Sequence, residues 1–152
     1  AFAIPTITGY KRMNDSALAP NRALWAHQNR AAFLRLIGGG ADPATHIENR
    51  SGDPAANPYL FMASQIIAGL DGINNQTDPG EPRNDEPYAQ VDVPHLPVTL
   101  NEALKALDGC ALFREKMGDA FIDYYLAMKR FELARFDSYV TDWEHQEYFE
   151  AF

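Results

Sequence analysis

Cys110 is the single cysteine among 152 residues, so no intrachain disulfide can form, and a reducing compartment such as the cytoplasm is expected. No stretch approaches the roughly 18 consecutive apolar residues of a membrane-spanning helix. No basic-then-apolar signal segment is present either. Positive charge is scarce: 13 Lys and Arg against 21 Asp and Glu leave a formal net charge of −8. That balance argues against a general nucleic-acid surface. No Ser or Cys sits in a nucleophile-elbow pattern, no internal repeat recurs, and His95 and His145 lack partners at metal-ligand spacing. An initiating methionine is also missing. Ala1-Phe2-Ala3-Ile4-Pro5 opens already in strand-like sequence, which suggests a piece of something longer or a processed chain.

What is present describes one globular unit, with 46% hydrophobic and 22% charged residues. The length allows one sizeable core and is too short for two ordinary domains. The few cations are unevenly spread: Arg12, Arg22, Arg30, Arg35 and Arg50 all lie in the first third, and acids dominate after residue 70. Such segregation allows a cationic site for an anionic ligand inside an acidic protein.

The expected class is α+β, with an antiparallel sheet portion over about residues 4–50 and a mostly helical half behind it. Residues 4–10 are rich in β-branched side chains and read as an edge strand. Residues 22–26 and 30–37 read as two strands joined at His27-Gln28-Asn29 in a hairpin, with Arg22 solvated. A regular strand would put Arg30 and Arg35 on opposite faces, so a shared ligand would require a bulge or bend between them. Gly38-Gly39-Gly40 reads as a flexible turn, since it lacks the context of a phosphate loop.

Residues 74–98 form a long, proline-rich irregular stretch of the kind that is functional or wraps a neighbour. Thr99-Leu100-Asn101-Glu102 opens a helix with Leu100, Ala103, Leu104 and Leu107 on one face, ending at Asp108-Gly109. The longest helix is expected from about Asp119 to Phe136, with Phe121, Tyr125, Met128 and Phe131 in the core. Thr141-Asp142-Trp143-Glu144 is a second capping box; it opens a terminal helix bearing Trp143, Tyr148, Phe149 and Phe152.

Residues 45–60 organise the rest. Alternation places His46, Glu48 and Arg50 on one side of an extended segment, with about 7 Å between successive members. The pattern suits a binding site, and equally a surface strand with an internal Glu48–Arg50 pair. After a Gly-Asp-Pro turn, Asn57-Pro58 reads as N-cap and first helical residue. The helix behind it is apolar almost all round, so it is expected to be buried and to stop at Gly69.

These residues resemble the C-terminal part of the catalytic domain of the glutamine synthetase family. Tyr10-Lys11-Arg12 is similar to the family's YKR segment, Ala19-Pro20 to its AP pair, and Asn29-Arg30-Ala31-Ala32 with Arg35 to NRSA…R. Ile47-Glu48-Asn49-Arg50 is similar to IE-x-R, residues 53–60 to DPAANPYL, and residues 68–73 to AGLDGI. The resemblance covers nearly the whole chain; it is most specific over residues 5–73 and looser from Leu96 to Phe152. It implies a fragment in which the family's N-terminal β-domain and the first half of its catalytic domain are absent.

By that resemblance Glu48 is a ligand of a divalent metal, Mg²⁺ or Mn²⁺. Arg12 and Arg50 hold glutamate, Arg30 and Arg35 face the phosphates of ATP, and Arg30 and Arg50 serve the catalytic step. His46 stands on the phosphate side where the family usually has an Arg, so the charge there is reduced. Leu18 stands where ammonia-using bacterial members carry a flap Glu. The implied parent is a cytoplasmic ligase, a large homo-oligomeric ring, which makes γ-glutamyl phosphate and condenses it with ammonia. The alternatives are a γ-glutamyl-amine or polyamine ligase, in which Trp25 could help line the amine site, and a non-catalytic module that keeps the fold. No nucleic acid or membrane is implied as a partner, and the fragment alone is expected to be inactive.

Overall fold

The computed structural model describes residues 1–13 and 19–151. Leu18 and Phe152 therefore lie outside the described residues. The class is α+β. A three-stranded sheet is built from β1 (Trp25–His27), β2 (Leu34–Ile37) and β3 (His46–Asn49) in the order β1-β2-β3. Among the described residues five α-helices come after it: α1 (Pro58–Asn74), α2 (Leu100–Asp108), α3 (Ala111–Met117), α4 (Asp119–Asp137) and α5 (Asp142–Tyr148).

The sheet differs from the expected meander in two ways. Residues 4–10 form no strand: Ile4 is buried in the helical core, and Thr8–Arg12 winds into a 3-10 turn. Burial of Phe2, Ile4 and Tyr10 against α2 and α4 overrides the β-branched composition. Nor is there a hairpin at residues 27–29. β1 pairs with β2 in parallel, and only β2–β3 is antiparallel. A three-residue strand spans only about 10 Å, so the six residues 28–33 can carry the chain back to its start. Gln28, at φ 56°, begins that return. Between β2 and β3 the triple glycine does make a turn, and all three residues have positive φ (81°, 142° and 57°).

The long stretch after α1 wraps the chain's own sheet. Arg83 N–H donates to Trp25 O (2.9 Å) and His27 N–H to Asn84 Oδ1 (2.9 Å), which covers the outer edge of β1. Further along, Ala23 N–H donates to Pro94 O, Leu96 N–H to Asn21 O, and Arg22 bridges His95. Arg22 is thus half-buried, donating to Val93 O, and is not the solvated residue expected.

The main core joins the N-terminal segment to α2 and α4 through Phe2, Ile4, Tyr10, Met13, Leu100, Ala103, Leu104, Leu107, Ile122, Tyr125 and Leu126. The α2 face is the one its periodicity predicted. Thr99 accepts from Glu102 N–H, while the Glu102 carboxylate accepts from Val98 N–H, one residue before the expected box partner. On α4 the buried face is Ile122, Tyr125 and Leu126; Met128 and Phe131 point to solvent. The capping box of Thr141 and Glu144 forms as expected at α5.

Helix α1 starts as predicted, with Asn57 Oδ1 accepting from Tyr59 and Leu60 N–H. It runs through Gly69 to Asn74, because a glycine inside a 17-residue helix costs only about 1 kcal/mol. It is not buried. Tyr59, Met62, Ile66, Leu70 and Ile73 form an exposed stripe at 3-4-4-3 spacing, because among the described residues α1 packs on α3 and on the turn after β3, which cover only its other side.

Candidate active site: a carboxylate between two arginines

The sheet register brings Ala26, Arg35 and Glu48 into one row across the three strands. Trp25, Leu34, Leu36 and Ile47 occupy the opposite face, where with Pro79 they line an apolar recess. Trp25 donates its indole N–H to Gly80 O (2.9 Å), so it faces away from the Glu48 row and lines no site there.

Glu48 sits between two guanidinium groups. Arg35 Nη1 donates to Glu48 Oε2 at 3.1 Å, and Arg50 Nε lies 3.7 Å from the same oxygen. Arg35 also donates from Nη2 to Gln28 Oε1 (3.4 Å). The internal pair read from the sequence is therefore present, but the nearer cation comes from β2. Two guanidiniums against one carboxylate leave one unit of positive charge. Arg35 Nε and Arg50 Nη1 are buried donors without an acceptor among the described residues. Buried unmet donors are costly, and an anionic ligand would satisfy them.

The other sequence-predicted residues are more dispersed. His46 shares the Glu48 face by alternation and is exposed, with Nδ1 held 2.6 Å from Ala44 O. Arg30 stands exposed in the 28–33 return loop and makes no ion pair with a described residue. Its position off the strand removes the face problem that five-residue spacing from Arg35 would impose. Arg12 reaches the site's edge, where Nη2 donates to Ser51 O and, at 3.0 Å, to Gly52 O. Its buried Nε has no acceptor among the described residues. Gln28, which orients Arg35, carried no signal in the sequence; a turn glutamine becomes a site residue only through the parallel return.

A divalent cation needs several oxygen ligands. Glu48 could supply one, but no group of three or more His, Cys, Asp or Glu among the described residues could hold a metal ion. The donors present do not make a metal site by themselves. Nor is any helix among the described residues long and apolar enough to cross a membrane.

Comparison with known proteins identifies the family of the chain. A gamma-glutamylanilide synthase of an Acinetobacter species is 48% identical over 98% of this chain and 32% of its own length. A gamma-glutamylethanolamide synthetase of Streptomyces coelicolor is 38% identical over 96% of this chain and 31% of its own. The glutamine synthetase of Archaeoglobus fulgidus is 34% identical over 99% of this chain and 32% of its own. The ligand-free structure of GmaS superimposes with a TM-score of 0.85 at 34% identity, covering 99% of this chain and 34% of that one. The chain thus spans about a third of the length of these relatives. The family description "Glutamine synthetase, catalytic domain" matches residues 1–148, and the chain belongs to that family.

Proposed function

We propose that this chain is the C-terminal portion of the catalytic domain of an ATP-dependent ligase that joins glutamate to an amine. The observation that supports it is the Arg35–Glu48–Arg50 cluster with its unmet donors, in a chain of this family. In the reaction, a γ-carboxylate oxygen of glutamate attacks the terminal phosphorus of ATP and ADP leaves. The amine nitrogen then attacks the γ-glutamyl phosphate carbonyl, phosphate departs and the nitrogen loses a proton. Negative charge gathers in the first step, and guanidinium groups are suited to stabilise it. Arg35 and Arg30 are assigned to the phosphates with His46 beside them, Arg50 and Arg12 to the glutamate carboxylate, and Arg30 and Arg50 to the charge that develops. Mg²⁺ or Mn²⁺ would supply further charge neutralisation. Glu48 would give it one oxygen, and the remaining ligands would come from outside these 152 residues.

The acceptor is proposed to be an amine larger than ammonia, of the aniline class in the first instance. Two relatives named for such products, an anilide and an ethanolamide, support this reading. Leu18 supports it from sequence alone. Ammonia remains the competing acceptor, since other relatives at 34% identity are glutamine synthetases. The test is ATP- and glutamate-dependent phosphate release by the full-length protein with aniline, ethanolamine, putrescine and ammonia. Highest kcat/KM with aniline is expected. A strong preference for ammonia would make it a glutamine synthetase, and no turnover with any amine would point to the non-catalytic module.

A further inference from the structure

Arg50 lies one residue past the end of β3, where its N–H donates to Phe33 O at 3.0 Å and its Nε lies 3.7 Å from Glu48 Oε2. The backbone turn from which it leaves the strand is bounded by Asn49 and Ser51. Asn49 Oδ1 accepts both the Ser51 N–H (3.0 Å) and the Ser51 hydroxyl (2.8 Å). Asn49 Nδ2 donates to Gln65 Oε1 on α1 at 2.7 Å. Gln65 Nε2 in turn donates to Ser64 Oγ (3.2 Å), whose hydroxyl donates to Phe61 O (2.7 Å). Ser51 and Ser64, at the two ends of this chain of bonds, are buried. From the other side Arg12 donates to Ser51 O. The amide of Asn49 is thus held at both its oxygen and its nitrogen, on the sheet face opposite Glu48 and between the two residues of the candidate site.

We propose that Asn49, held by Gln65, is a positioning residue: it fixes the turn at which Arg50 leaves the strand and so aims the guanidinium at its substrate. A polar relay is the means because directional bonds set an angle that apolar packing would leave loose. The inference rests on the assignment of Arg50 to glutamate.

In the full-length ligase, Gln65→Met keeps side-chain length on a solvent-facing position of α1 and removes the acceptor for Asn49 Nδ2. The KM for glutamate should rise about tenfold, with the ATP KM moving less than about twofold and the thermal midpoint nearly unchanged. Asn49→Ala should act the same way more strongly. Asn49→Asp, which keeps the oxygen that Ser51 requires, should recover most of the loss once the Gln65 amide turns to donate. An unchanged glutamate KM in Gln65→Met would overturn the proposal. So would a parallel rise in both KM values with a lowered thermal midpoint, because that is what a merely structural bond would give. A wild type without ligase activity would instead overturn the reaction assignment, before any variant is compared.

Discussion

The helical region and the sheet region satisfy their own chemistry to different degrees. The buried faces of α2 and α4 meet in the main core, with α3 partly buried against it. Leu100, Leu104, Ile122 and Leu126 are at most 2% exposed. Polar groups there are also paired: Arg114 contacts Asp108, Asp119 and Asp123, and Arg130 contacts Asp108. Around the sheet the buried cluster among the described residues is Leu24, Ala26 and Ala32 with Val93 against it. Ile47 and the α1 stripe are exposed, and the arginines keep unmet donors. The core at α2 and α4 carries stability, while the charged cluster on the sheet keeps unmet donors. A site of the kind proposed, which would admit charged substrates, could not also saturate its own charges.

The largest expected effect breaks the comparison at its functional end. Glu48→Gln in the full-length enzyme should lower ligase turnover by about a hundredfold or more while the thermal midpoint barely moves. Near-normal activity would reduce Glu48 to a partner of Arg35 and Arg50.

A paired truncation sharpens the structural end. Leu104→Ala should cost about 2–5 kcal/mol in denaturant unfolding, since it opens a cavity in the main core. Leu70→Ala, half-exposed on the α1 stripe, should stay within about 0.5 kcal/mol in the 152-residue chain. If a longer polypeptide covers that stripe, the Leu70 cost should rise toward the Leu104 value there. Equal costs in the short chain would mean that α1 is packed after all.

The smallest effect is electrostatic. Hydrogen bonds from Arg130 and then Arg114 hold the Asp108 carboxyl below its ordinary range. A folded-state value below the unfolded one contributes stability above about pH 4, and that contribution is lost as pH falls through the lowered value. Asp108→Asn should therefore lower the thermal midpoint slightly at pH 7, with the gap to wild type closing in acid. A gap that widens on acidification would contradict the pairing.

What could be read directly from the amino acids was local. Asn57, Thr99 and Thr141 cap the helices expected of them, because a cap needs only its own next three residues. The α2 stripe buried as written, since its period names a face and the face found a partner. The row His46, Glu48, Arg50 came from alternation alone. The family came from blocks of sequence in order. Only the tertiary structure decided the remainder. It made β1 and β2 parallel, drew Phe2 and Ile4 out of any strand into the helical core, and put Trp25 on the far face. It also brought Arg35 closer to Glu48 than Arg50 is. The reason is common to all of these. Strand pairing, choice of face and ion-pair partner depend on residues far apart in sequence, whose meeting is settled by competition for the same buried surface, and no local propensity encodes that competition.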